Sequence, residues 1–314
     1  YNVALGYNAL TAHTTGQQNT ALGQGTLGSS TTADYNTAVG TGALSSVTTS
    51  EDNVAMGRAA LYHSTAADCT AVGSLALYLN TTGTKGTAFG RGALQSNTTG
   101  AGNTAVGWKP LDANTTGANN TAVGSSALGA NTTGGSNVAL GYAALEANTT
   151  GVDNAAVGYN SLVACTTGDK NAVFGHSSGL AITTGENNTA IGRYAGADIT
   201  TGSNNAFLGN HAGRGASPSG AVTTGSNIVC IGDNSITDFY CADTSISSSD
   251  KRDKTDVTDF TNGLNWINQL KPVTYRWDRR SWYDDNTPDG SKKRNKKHIG
   301  FLAQDVLAIE GNPT

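Results

Sequence analysis

Few residues in this chain of 314 are spaced for chemistry. The four cysteines, Cys69, Cys165, Cys230 and Cys241, form no Cys-x-x-Cys pair and have no histidine at metal-ligand spacing, so neither metal nor cofactor is expected. The first three stand where neighbouring segments carry Asn or a small apolar residue, which predicts buried thiols. Asn80, Asn97, Asn114, Asn131 and Asn148 each open Asn-Thr-Thr, an acceptor pattern for N-glycosylation, but their regular recurrence reads more simply as turn chemistry. The Thr pairs also suggest an ice-binding array. Adjacent Thr side chains point to opposite faces of a strand, so a flat two-column array is not expected. Tyr7, Arg58, Arg91, Trp108, Tyr142, Tyr159, His176 and Arg193 each follow a recurrent Gly. These types suit contact with a partner molecule, and equally an exposed corner that tolerates any side chain. No carboxylate pair marks a sugar-cleaving site.

The elements that must position these residues are set by a repeat. The phrase Asn-Thr-Ala-Val-Gly, or a close variant, ends at Gly6, Gly23, Gly40, Gly57, Gly73, Gly90 and onward to Gly209, at 17-residue spacing except for one step of 16, with a last copy ending at Gly232. Four or five residues of β character bounded by Gly read as a short strand. A unit this short cannot bury its own apolar face, and stacking the next copy does so. The chain is therefore expected to be all-β: a parallel β-solenoid or β-roll of about 17 residues per coil. Leu5, Leu22, Val39, Met56, Val72 and Phe89 and their successors are expected to form one interior column, and Leu10, Leu27, Leu44 and Leu61 through Leu162 a second. The near-constant Ala between Thr and the aliphatic residue then points the other way, towards close contact with another copy, most simply in a homotrimer. Asn103, Asn120, Asn137 and Asn154 are expected to ladder along the axis, and the phrase glycines to take positive φ. From Gly175 onward the second column becomes Gly179, Gly196 and Gly213, which predicts narrower or differently turned last coils.

Composition excludes several classes. Gly numbers 41 and Pro only 5, without the every-third-residue Gly of collagen. Residues 1–249 carry 7 Lys/Arg against 13 Asp/Glu, so no basic stripe exists for nucleic acid. No run of 18 apolar residues is present, so no membrane insertion is expected. The chain opens mid-repeat at Tyr1 and is expected to be a piece of something longer.

After Gly232 the period stops, and three segments are expected: a repeat shaft over 1–232, a neck over 233–249, and a separate domain over 250–314. In the last, Thr261 to Leu270 suggests an amphipathic helix stopped by Pro272, Val273 to Trp277 a strand, residues 278–298 a loop or hairpin tip, and Ile299 to Ala308 the start of a further strand or helix.

Three ordered motifs lie here: Ser249-Asp250-Lys251-Arg252-Asp253-Lys254, Leu270-Lys271-Pro272-Val273-Thr274-Tyr275-Arg276-Trp277, and His298-Ile299-Gly300-Phe301-Leu302-Ala303-Gln304-Asp305-Val306. This segment resembles the endosialidase-type intramolecular chaperone at the C-terminus of phage tail spikes and fibres. The resemblance implies an incomplete α+β chaperone domain that aligns three chains and then releases itself between Ser249 and Asp250. Ser249 and Lys254 match the family's catalytic pair, a Ser-Lys arrangement of single turnover with no external substrate. The repeats are similar, more weakly, to the heads of trimeric autotransporter adhesins. Together the resemblances imply a homotrimeric virion tail fibre that contacts a host cell-surface receptor, a glycan among the ligands considered. The alternative is a bacterial surface or secreted adhesin using the same chaperone.

Overall fold

The computed structural model describes residues 1–215, 217–237, 272–275 and 298–300. The chain divides into two compact units, Tyr1–Phe239 and Tyr240–Thr314.

The first unit is a parallel β-solenoid with one three-residue strand per coil. In chain order the strands are β1 (Val3–Leu5), β2 (Thr20–Leu22), β3 (Thr37–Val39), β4 (Val54–Met56), β5 (Thr70–Val72), β6 (Thr87–Phe89), β7 (Thr104–Val106), β8 (Thr121–Val123), β9 (Val138–Leu140), β10 (Ala155–Val157), β11 (Ala172–Phe174), β12 (Thr189–Ile191), β13 (Ala206–Leu208) and β14 (Val229–Ile231). They form a single 14-stranded sheet in sequence order, each strand pairing with the next copy of itself, as in Thr104↔Thr121 and Val106↔Val123. At roughly 4.8 Å per strand the sheet runs on the order of 60 Å along the axis. The 16-residue step loses one residue from the Thr-Thr-Gly turn, at Thr65-Ala66, and keeps the register Val54↔Thr70. The insertion before β14 rejoins the stack at Thr223, whose carbonyl accepts from the Thr200 amide at 2.7 Å.

The other walls are turns, yet they too are bonded along the axis. Leu111 N donates to Ala127 O at 3.0 Å, and Thr98 N and Oγ1 both donate to Thr115 O at 2.9 Å. Two buried amide ladders complete the stack. The Asn that opens each phrase accepts from the next coil, as when Asn171 N donates to Asn154 Oδ1 at 2.9 Å. The expected ladder through Asn103, Asn120, Asn137 and Asn154 is present. A second runs through Asn80, Asn97, Asn114, Asn131 and Asn148, Nδ2 to Oδ1 at 2.8 Å each.

Positive φ turns the corners. The phrase glycines from Gly6 to Gly209 lie between +107° and +144°. On Gly124 a Cβ would stand 2.3 Å from Gly141 O, so the close approach of coils demands glycine there. The buried Leu column adopts left-handed backbone as well, with φ +50° at Leu111 and +52° at Leu128. That conformation costs a non-glycine residue about 1–2 kcal/mol, and burying a Leu side chain returns about 1.5–3 kcal/mol.

The interior corrects one expectation. Leu27 through Leu162 form a fully buried column as expected, but its partner is the strand's central Ala: Ala21, Ala38, Ala88, Ala105 and Ala122 are wholly buried. The residues expected beside it instead face outward, with Leu22 exposed by 43%, Phe89 by 56% and Ile191 by 46%. The cause is cross-section. A 17-residue coil with three tight corners brings the Leu wall so close to the strand that only a methyl fits between them.

The last coils show the same constraint in reverse. Val173 replaces the central Ala where Gly179 replaces Leu, and a Cβ on Gly179 would lie 3.2 Å from Val173 Cγ1. Phe207 fills the space left at both Gly196 and Gly213, where added Cβ atoms would stand 2.7 Å and 2.3 Å from its ring. These coils keep their width by exchanging bulk between walls.

In the second unit β15 (Val273–Tyr275) pairs antiparallel with β16 (His298–Gly300), Val273 opposite Gly300. The first falls in the stretch expected to be a strand; the second starts at His298, the last residue of the expected loop, and runs into the stretch expected to begin a strand or helix. The helix expected over 261–270 lies outside the described residues.

Candidate functional site

The outward side of the 14-stranded sheet is the most distinctive surface of the solenoid. Side chains alternate across each strand, so turning Ala inward turns the residues on either side of it outward. One column is Thr, Val or Ala, from Val3 and Thr20 to Val229; the other is aliphatic or Phe, from Leu5 and Leu22 to Ile231. None of these positions carries a charge. The aliphatic column varies in bulk, with Met56, Phe89 and Phe174 standing among Val and Leu. That variation was the signal in the sequence: an interior column of fixed width holds its volume constant, as Ala does, while a surface column need not. The expectation that the Ala face meets another copy is overturned, since those methyls are buried within the chain itself.

The corner residues after each strand Gly form a second exposed row. Tyr7, Arg58, Arg91, Trp108, Tyr142, Tyr159, His176 and Arg193 are all exposed. Tyr142 and Tyr159 stack at 5.2 Å between ring centroids, and Tyr159 stacks on His176 at 5.1 Å. Arg193 and Arg214 lie 4.7 Å and 5.2 Å from the Tyr194 ring centroid. The sequence named this row without showing that Tyr142, Tyr159 and His176 stack on one another within it.

The remaining chemistry-bearing residues serve structure. The Asn-Thr-Thr asparagines are buried, each Nδ2 donating to the side chain below (Ser64 for Asn80, an Asn for the other four) and to a Gly carbonyl at 3.0 Å, as in Asn114 to Gly117, so folded coils offer no glycosylation acceptor. The first Thr of each of these pairs donates through Oγ1 to the backbone of the next coil. Cys69, Cys165 and Cys230 are free and buried, as the sequence suggested. Burial pushes the Cys165 thiol up to about 11, and Cys69 shifts in the same direction for the same main reason. A shallow polar recess lies where Ser126, Gly129 and Ala130 are flanked by Lys109, Asp112 and Glu146 of the adjoining coils. Cys241, Ser249 and Lys254 lie outside the described residues.

Comparison with known families finds a similarity in the C-terminal stretch. The family model described as chaperone of endosialidase matches residues 249–313. No curated protein and no solved structure matches the chain. The chain is thus a parallel β-solenoid of 17-residue coils followed by a stretch, residues 249–313, that matches the model of the endosialidase chaperone.

Proposed function

We propose that this chain is a structural fibre protein of a phage tail that works as a homotrimer and contributes to host-surface attachment. The observation that carries the reading is the succession in one chain of a long bonded solenoid and an endosialidase-chaperone region. Near-identical coils can pair in many registers, and a C-terminal device that aligns three chains removes that ambiguity. The solenoid then serves as a spacer, and the stacked corner row of Tyr142, Tyr159 and His176 with neighbouring Arg193 offers aromatic and guanidinium groups to a receptor, a glycan being the ligand class such groups suit.

In this reading Ser249 and Lys254 release the chaperone once, between Ser249 and Asp250. Ser249 cannot close a four-membered ring on its own carbonyl, so the attacking group comes from another subunit or is a water activated by Lys254. A denaturing gel tests the step. The wild-type chain should yield two fragments, and Ser249→Ala or Lys254→Ala only the intact chain; identical fragments from all three would overturn it. The phage assignment is tested by immunogold labelling of the native source: label along virion tails supports it, and label on a bacterial surface supports an adhesin built on the same plan.

A further inference from the structure

We propose that the outward face of the 14-stranded sheet is the seam along which three copies of this chain pack, aliphatic column against aliphatic column; this rests on the trimeric reading above and names its surface. The solenoid has charged residues on its turns and corners, but not one on the strands. A face turned permanently to water has no reason to exclude charge over 14 coils. Leu22, Met56, Phe89, Phe174 and Ile191 are each more than two-fifths exposed, an arrangement that isolated solenoids would leave as a long sticky stripe. With its flanking column the stripe offers on the order of 1,000 Å² per chain, comparable to the roughly 800 Å² each partner buries in a stable interface.

A second copy is the occupant that fits. It has the same axial rise, the same length and the same uncharged face, so its side chains meet this one coil by coil along the whole sheet. A short or charged ligand would cover only part of it. The uneven bulk of the column also gives the assembly a register. Around a threefold axis each side chain meets itself at one height, so Phe89 packs on Phe89 and Phe174 on Phe174. A slip of one coil sets Phe89 of one chain against Val72 or Val106 of the next, leaving gaps at some layers and overcrowding at others. With most layers holding Val or Leu, that penalty marks only a few heights, which is why an aligning region at the C-terminus is needed to start the match.

The test uses the full chain with Cys241→Ser, the described cysteines being buried. Val106→Cys, on the face, should form interchain disulfides on mild oxidation. Thr116→Cys, exposed on a turn wall, should form at least tenfold fewer. In parallel, Phe89→Glu with Ile191→Glu should lower the trimer fraction at micromolar concentration at least tenfold by light scattering, while Trp108→Glu leaves it unchanged. A wild-type trimer in which Val106→Cys fails to cross-link overturns this inference and leaves the fibre reading standing. A wild-type chain of monomer mass, 31.9 kDa, overturns both.

Discussion

Cys165 interrupts an amide ladder and shows how little tolerance each layer has. Asn148 Oδ1 is buried without a donor, because the coil that should supply an Asn Nδ2 carries the Cys165 thiol instead. Cys165→Asn should give Asn148 Oδ1 its donor but move the orphan to the introduced amide oxygen, since buried Ile182 fills the next layer; with one unsatisfied acceptor in either case, the thermal midpoint should change little. The thiol also has a pH signature. Its folded pKa of about 11 lies above the ordinary 9.0, chiefly through desolvation, so between these values the unfolded chain binds fewer protons than the folded one. Stability should fall as pH rises from about 9 to about 11 through this group, and the Cys165→Ser variant should show a shallower decline in denaturant titrations. Gly124→Ala places a Cβ 2.3 Å from Gly141 O at φ +138° and should cost more than the about 1–3 kcal/mol of backbone strain alone. Loss of the cooperative melt would register it.

Each coil is an exchange of volume between two walls. Ten coils pair a small strand centre with Leu at the left-handed corner, and the coils bearing Gly179, Gly196 and Gly213 return the space through Val173 and Phe207. Phe207→Ala should accordingly open a cavity across two coils and cost about 3–5 kcal/mol. Adding Gly213→Leu should restore a large part of that loss, since Leu already occupies the matching corner at φ near +50° in earlier coils. Gly213→Leu with Phe207 retained should be worse than either change, because the new side chain and the ring would share one space. Melting of the three variants orders these outcomes.

Along the whole solenoid the consequences concern assembly. The axial hydrogen bonds form inside one chain, so its persistence does not depend on ion pairs; among the described residues only Lys109–Asp112 and Arg214–Asp198 form salt bridges, with side chains 29–36% exposed. Melting of the folded solenoid should thus shift little between low and high salt. The exposed apolar face has the opposite dependence on context. If the proposed trimer forms along this face, a chain truncated before Ser249, without the stretch that matches the endosialidase chaperone, should form fewer in-register trimers and more aggregate than the full chain, measured by light scattering after refolding.

The amino-acid sequence by itself determined the period, the parallel stacking, the second Leu column, the Asn ladder and the buried thiols, because each depends on what recurs every 17 residues and not on which way it points. It left inside and outside undecided for the strand. Thr-Ala-Val has one central and two flanking residues whichever face is buried, and hydrophobicity alone favours burying Val. Only the tertiary structure decided, since the width between the strand and the Leu wall admits a methyl and nothing larger, as the Val173 and Phe207 exchanges demonstrate. Constant volume marked the interior, and the variable apolar column marked the surface.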